Sequence, residues 1–217
     1  MIYATFIKRM VNRSRAVTAF FLALSIATLV LDLHNIPEIK IVTPIILTTS
    51  LISPSLFGIM FSSLAVGLFA DDRQSGLLEF LVAEGLKPEK IFYIYTVSYL
   101  LVSVPIDAII SGILGFFIHN LTYFVILLTN SIGISWIVVP ISVYFAYLQR
   151  VTGSSRSPLG TFIGFGLLLI LMYSSAIVTS ETELEEMLLY SGIAFLVVAV
   201  LLTIIIGKNF SSEKLVS

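Results

Sequence analysis

The sequence predicts an all-α, polytopic membrane protein with six transmembrane helices, an N-terminal interfacial helix and a short cytosolic helix between spans two and three. The first observation is composition: the 217 residues are 58% hydrophobic and 12% charged, whereas about 25% of the residues in a soluble domain are charged. The second is the length of the apolar runs, which suits helices that cross a bilayer. The third is that these runs lack the alternation of a lipid-facing barrel strand.

Six apolar stretches approach or exceed the roughly 20 residues that a helix needs to cross a hydrocarbon core of about 30 Å. The first follows a basic N-terminus and shows no clear cleavage pattern, so we interpret it as a retained span and not as a signal peptide. The predicted spans are residues 16–33, 44–70, 91–118, 121–148, 159–179 and 188–207 of one permease-like domain, 1–217.

The distribution of positive charge predicts the orientation. With six spans both termini lie on one side, and loops on that side hold eleven of the 12 Lys and Arg residues, while the other side holds only Lys40. Such a bias places both termini in the cytoplasm, with the chain in the cytoplasmic membrane. The eleven cations are Lys8, Arg9, Arg13, Arg15, Arg73, Lys87, Lys90, Arg150, Arg156, Lys208 and Lys214.

Residues 1–15 have the pattern of an amphipathic helix that lies in the membrane interface. Residues such as Phe6 and Met10 share an apolar face, while Lys8 and Arg9 lie on the other face, where cations meet lipid phosphates. Five tyrosines close to the cytoplasmic ends of spans three and four are interpreted as an interfacial aromatic belt. They are Tyr93, Tyr95, Tyr99, Tyr144 and Tyr147.

The longest polar interruption lies between the second and third spans and predicts a cytosolic helix over residues 71–84. Asp71 and Asp72 suit the start of a helix, because the dipole favours negative charge there. Gly85 and Pro88 favour its end. The segment is more apolar than a solvated linker needs, and its acidic residues disfavour an anionic lipid surface. We therefore expect it to dock into a protein partner.

The stretch from Leu68 to Leu81, LFADDRQSGLLEFL, resembles the cytosolic coupling segment of ABC-2 type transporter permeases. Within that superfamily it is most similar to the haem-exporter B subunit of cytochrome c maturation. The resemblance implies that the first fifteen residues form an elbow helix. It further implies a permease subunit that pairs with a second permease subunit and binds ABC ATP-binding subunits.

The resemblance also implies which residues couple the permease to its ATPase. Gly76 and Glu79 match the signature positions of the coupling helix, and the apolar residues around them correspond to its docking surface. The implied ATPase-coupling residues are Asp71, Asp72, Gly76, Leu77, Leu78, Glu79, Phe80 and Leu81.

Several kinds of chemistry have no visible motif in the sequence. A P-loop needs G-x-x-x-x-G-K-[ST], and the single Gly-Lys pair, at Gly207 and Lys208, lacks the other positions. We therefore expect no cofactor on this chain, with ATP and Mg bound by the partner subunit. There is no cysteine, and no catalytic or metal-binding cluster is evident. A net charge of −1 gives no argument for nucleic acid. A membrane scaffold that recruits another cytosolic partner, or an integral membrane enzyme, remains an alternative.

Three polar residues inside the predicted spans are candidates for a translocation path: Asp107, Asn130 and Ser135. An intramembrane carboxylate is costly and marks a functional site by default, although a partly hydrated Asp107 bonded to Ser103 or Ser111 is the alternative. Packing explains the other two equally well. We interpret the G-x-x-x-G pattern at Gly160 and Gly164 as packing within one subunit. His34 and His119 are interpreted as interfacial side chains and not as haem ligands.

Overall fold

The computed structural model of the chain describes residues 2–35, 49–148, 159–178 and 180–211, and all regular secondary structure in these ranges is α-helical. Five of the helices are long and apolar enough to cross a membrane, so the chain is a multi-pass membrane protein. The helices are α1 Ile2–Arg13, α2 Arg15–Asn35, α3 Ile52–Gln74, α4 Leu77–Ala83, α5 Pro88–Ile118, α6 Leu121–Leu148, α7 Leu159–Ile177 and α8 Glu181–Lys208.

The five membrane-crossing helices are α2, α3, α5, α6 and α8. The fifth predicted span, 159–179, corresponds to α7, whose apolar part Gly160–Ser175 is shorter than the roughly 20 residues that a bilayer requires. Five helices are therefore long and apolar enough to span a membrane, and the count of six spans stays a prediction. Outside the described residues lie the predicted start of span two at residue 44, the end of span five at residue 179, and the cations Lys40, Arg150, Arg156 and Lys214.

The helix bounds agree with the predicted spans at some ends and differ at others. The end of α5 at Ile118 and both ends of α6 agree with the predicted spans. Between these two helices His119 turns the chain with φ 57°. In contrast, α3 continues to Gln74, four residues beyond the predicted span, and α8 begins at Glu181 rather than 188. Polar residues extend both helices without breaking them.

Helices α3 and α6 form the centre of the bundle. α6 packs against α8, α3, α5 and α7, and α3 packs against α6, α5, α2 and α7. In the most apolar part of α3, 72% of the residues are buried inside the protein, against 17% in α2 and in α8. The peripheral helices therefore present most of their surface to lipid, while the two central helices carry most of the internal packing.

The peripheral apolar surface is larger than a soluble protein exposes. Side chains such as Ile109, Phe116, Leu121, Phe162 and Ile177 are all more than half exposed in the isolated chain. Contiguous exposed apolar surface of this kind marks contact with a membrane or a partner. Because these residues are distributed over α5, α6 and α7, a surrounding lipid phase accounts for them together.

Glycines allow the central helices to approach their neighbours closely. A Cβ on Gly133 of α6 would lie 2.7 Å from Cβ of Phe195 and 3.3 Å from the backbone nitrogen of Leu196 on α8. On α7, a Cβ at Gly164 would lie 2.8 Å from Ile59 of α3. The G-x-x-x-G pattern thus packs within the chain, which confirms that prediction.

We expect Gly133→Ala to destabilise the protein, because the added methyl group would push α8 away from α6. Overpacking of this kind costs about 1–3 kcal/mol. The matched control is Gly166→Ala on α7, where nothing lies within 4 Å of the added Cβ. There the change should be neutral or stabilising by up to about 1 kcal/mol. Thermal unfolding of both variants in detergent measures the difference, and equal unfolding temperatures would contradict the packing described.

Candidate functional site

The segment predicted as one helix over residues 71–84 is divided in the structure. Residues 71–74 complete α3, and a separate seven-residue helix, α4, runs over Leu77–Ala83. Gly76 joins them with φ 75°, a conformation that costs other L-residues about 1–2 kcal/mol. Asp71 and Asp72 therefore lie at the C-terminal end of a helix and not at the N-terminal end of one, as had been predicted. The helix dipole disfavours negative charge there, so another group must stabilise it.

That group is Arg9 of α1. Its guanidinium forms a bidentate ion pair with the Asp72 carboxylate, with Nη1 3.1 Å from Oδ2 and Nη2 bonded to Oδ1. The hydroxyl of Tyr95 on α5 donates a second hydrogen bond to Oδ2, at 2.5 Å. Asp72 is 1% exposed, and its charge is fully engaged within the protein. Three helices are joined at this one carboxylate, and Asp72 offers nothing to an outside partner.

The position of α1 corrects its predicted placement. Phe6 and Met10 are buried among protein side chains instead of facing lipid, and the Phe6 ring contacts Tyr95 edge-on at 5.1 Å between centroids. Arg9 turns inward to Asp72, not toward lipid phosphates. We refer to the end of the bundle where α1 and α4 lie as the α4 end.

The predicted tyrosine belt is also corrected. Tyr95, Tyr99 and Tyr147 are each at most 1% exposed, so they are core residues and not interfacial ones. Their hydroxyls are hydrogen-bonded within the protein, as a buried tyrosine usually requires. Tyr99, for example, donates to the carbonyl oxygen of Gly58 at 2.6 Å.

Arg73, next to Asp72, joins α3 to the C-terminal end of α6. Its Nη1 donates to the carbonyl oxygens of Ala146 and Tyr147, at 3.2 and 3.0 Å. Carbonyls in the last turn of a helix lack partners within that helix, so Arg73 caps α6 from α3. The charged pair Asp72 and Arg73 therefore connects α3 to α1, α5 and α6 within two adjacent residues.

The chain that follows α8 returns to the same place. The ring of Phe210 stacks on Tyr147 with centroids 4.2 Å apart and contacts Phe69 of α3. The backbone nitrogen of Ser211 donates to the Tyr147 hydroxyl at 2.9 Å. The α4 end thus gathers α1, α3, α5, α6 and the end of α8 into one packed unit.

The exposed face of α4 is smaller than the docking surface that the sequence implied. Leu78 is fully buried in the core of the α4 end, and Leu77 and Leu81 are partly buried. Phe80 is 58% exposed, and Glu79 beside it is exposed as well. A large aromatic side chain left in the open on a polar segment is the feature of α4 that its own packing does not explain.

A second group of polar residues lies between α3, α5 and α6, midway along the bundle. Asp107, Ser103 and Ser111 are one turn apart on α5, and all are fully buried. A Cβ on Gly58 of α3 would lie 2.6 Å from Cβ of Ser135 and 3.2 Å from Oδ2 of Asp107. The structure therefore brings Asp107 and Ser135 together across three helices. We call this group the polar seam: Ser55, Gly58, Ser103, Asp107, Ser111 and Ser135.

Asn130 lies outside the polar seam. Its amide nitrogen donates to the carbonyl oxygen of Leu188 on α8 at 2.8 Å, and its carbonyl oxygen accepts from Ser191 at 3.0 Å. Since both ends of the side chain are satisfied between α6 and α8, packing accounts for it. Of the three candidate path residues, the structure groups two and separates the third.

Several of these residues have no clear signal in the sequence. From the sequence alone, Arg9 and Tyr95 are predicted at the membrane surface and Arg73 in a loop. Asp32 of α2 was not singled out, yet its carboxylate accepts a hydrogen bond from the Ser53 hydroxyl of α3. Its position within an apolar run was the available signal.

Comparison with protein-family models, with curated proteins and with solved structures finds no match for this chain. Functional inference therefore depends on the chain's own residues and on the arrangement described above.

We expect Arg9→Ala to destabilise the protein by about 2–3 kcal/mol, because it removes the positive charge that is paired with the buried Asp72 carboxylate. The control is Lys8→Ala, which removes an exposed cation from the adjacent position of α1 and should change stability by less than about 0.5 kcal/mol. Hydrogen exchange of the α1 amides should accelerate in the Arg9 variant alone. Equal exchange in both variants would show that the ion pair does not hold α1.

Proposed function

We propose that this chain is the permease subunit of an ATP-driven ABC-2 type exporter in the cytoplasmic membrane. The observation that carries the proposal is α4, a short helix between two long membrane-crossing helices, anchored on one side and exposing Phe80 and Glu79 on the other. The resemblance of residues 68–81 to a coupling segment agrees with that geometry. In this proposal both termini and α4 are cytoplasmic.

The exposed face of α4 suits a protein groove better than a lipid surface. Glu79 and Glu84 are exposed beside Phe80, and negative charge disfavours an anionic membrane. An aromatic side chain with a charged neighbour is typical of an anchor that fills a pocket at a protein interface. The proposed partner is an ABC ATP-binding subunit, which holds ATP and Mg.

Because α4 packs into the α4 end, a force applied to α4 would be transmitted to the helices that meet there. α4 is connected through Gly76 to α3 and packs through Leu78 into the core that α1, α5 and α6 share. At 31 residues, α5 is about 46 Å long, so it extends beyond a hydrocarbon core of about 30 Å. Closure of the ATPase on ATP would push α4 and tilt α3 and α5, and these two helices border the polar seam.

The proposed assembly contains a second permease subunit, identical or related, within the lipid membrane. The coupling segment most resembles that of the haem-exporter B branch. If the chain belongs to that branch, the exported substrate is haem or another component of cytochrome c maturation. Of the residues predicted to line a translocation path, Asp107 and Ser135 lie in the polar seam, and they are the path residues of this proposal.

The proposal predicts that Phe80→Asp weakens binding of an ATP-binding subunit enough that the subunit no longer co-purifies. The protein is purified with its partners from native membranes, and co-purified chains are identified by mass spectrometry. Loss of a hot-spot aromatic costs about 2 kcal/mol or more, roughly a 30-fold loss of affinity. Lys8→Gln, an exposed change on α1 and not on α4, is the control and should keep the partner. Equal size-exclusion profiles establish that both variants fold.

The outcome separates two classes of protein. A P-loop-containing partner that is retained by the control and lost in Phe80→Asp supports the permease. A partner without a nucleotide-binding motif, lost in the same variant, replaces the permease with a membrane scaffold. A P-loop-containing partner bound equally by both variants overturns the docking role of α4.

A further inference from the structure

The polar seam contains a buried carboxylate, Asp107, with which no described Lys, Arg or His forms an ion pair. Asp107 is fully buried, and neither of its oxygens has a hydrogen-bond partner among the described residues. The Ser135 hydroxyl lies near the carboxylate, but not in the geometry of a hydrogen bond. An isolated ionised carboxylate in such surroundings is very unfavourable, and proteins neutralise it or pair it.

The described basic residues of α3 and α5 lie far from Asp107 along their helices. On α3 the nearest basic residue is Arg73, 15 residues from Gly58, or about 22 Å along the helix. On the two sides of Asp107 the nearest are His119, which is exposed and 12 residues away, and Lys90, 17 residues away, or about 18 Å and 26 Å along the helix axis. Arg73 is in addition committed to the carbonyls of α6. On α6, the stretch that is described carries no Lys, Arg or His.

Other titratable groups around Asp107 are few. Tyr99, eight residues before Asp107 on α5 and about 12 Å away along the helix, donates its hydroxyl to the carbonyl oxygens of Gly58 and Ser135. Tyr123 and Tyr144 of α6 lie 12 and 9 residues from Ser135, about 18 Å and 13 Å along the helix. On α3 the titratable residues begin at Asp71, at the α4 end. Asp107 is therefore the single acidic group within the polar seam.

The hydroxyls of the polar seam lack the bond that many helical serines of the bundle make, as do the hydroxyls of Thr18, Thr96 and Ser98 outside the seam. Ser25, Ser62, Ser142 and Ser174 each donate to a carbonyl oxygen of their own helix, the usual way in which a helical serine is satisfied in an apolar setting. Four buried serines of the polar seam have no such bond: Ser55, Ser103, Ser111 and Ser135.

Antiparallel packing places these serines at the level of the carboxylate. The contacts of Asp72 with Tyr95 and of Gly58 with Asp107 fix the register between α3 and α5. In that register Ser55 is level with Ser111, one turn from Asp107. Hydroxyl oxygens can accept as well as donate, so the serines can complete the bonding of a group bound at the carboxylate.

We propose that the polar seam is a binding site for one small positive charge at Asp107, supplied by a proton or by an alkali cation such as Na⁺. In the first case the carboxylate takes a proton from water and becomes a carboxylic acid that donates to a neighbouring oxygen. In the second, the carboxylate and serine oxygens are hard ligands of the kind that alkali cations prefer. The site does not depend on α4 or on an ATPase.

Infrared spectroscopy of the purified protein in lipid nanodiscs at neutral pH tests the proton. Wild-type protein in choline chloride should show the carbonyl stretch of a protonated carboxyl group. Asp107→Asn should lose that band, whereas the control Asp32→Asn, which changes the intramembrane carboxylate bonded to Ser53, should keep it. A thermal-unfolding series in choline, K⁺ and Na⁺ tests the alkali cation on the same three proteins.

Loss of the band in Asp107→Asn alone supports the site with a proton bound. Absence of the band together with a Na⁺- or K⁺-dependent rise in the unfolding temperature, present in wild type and lost in Asp107→Asn, supports the site with a cation bound. A wild-type protein with neither the band nor the cation response overturns the proposal, whether or not the variants fold. A band or cation response that persists in Asp107→Asn overturns it too.

Discussion

The ion pair between Arg9 and Asp72 is the interaction on which the α4 end depends. It places a buried negative charge at the C-terminal end of α3, where the helix dipole is unfavourable, and offsets that charge from α1, which is distant in sequence. Tyr95 adds α5 to the same carboxylate. Because Arg73 follows at once and caps α6, two successive side chains of α3 set the positions of three other helices. α4 packs against the group of helices that Asp72 and Arg73 hold together.

Asp72 and Asp107 show how differently one protein can treat a buried carboxylate. Asp72 has a guanidinium and a phenol, and serves as a junction between helices. Asp107 has neither, although it is buried to the same degree in a row of serines whose hydroxyls are not bonded back to their own helices. The first arrangement is typical of a structural anchor. The second is the arrangement to expect where a charge is to be taken up and given back.

Much of the helical framework could be predicted, because apolar length is a local property of the sequence. The α5–α6 connection, with its two-residue turn, was predicted to the residue. The environment of individual polar side chains could not be, since it depends on which helices pack together. Arg9 and Tyr95 have the character of membrane-surface residues until Asp72 is placed beside them. Likewise, Asn130 and Ser135 look alike in sequence, and only the choice of neighbouring helix separates a packing residue from a member of the polar seam.

The pairing of α6 with α8 has a consequence for biogenesis. The carbonyl oxygen of Asn130 accepts from Ser191, and its amide reaches the backbone of Leu188. Both partners belong to α8, which the ribosome synthesises after α6. Until α8 has been released from the insertion machinery, the fourth predicted span carries an exposed carboxamide on the face that α8 will cover. A nascent chain truncated before α8 would therefore display a polar mark within the bilayer, which membrane-embedded quality-control factors can recognise.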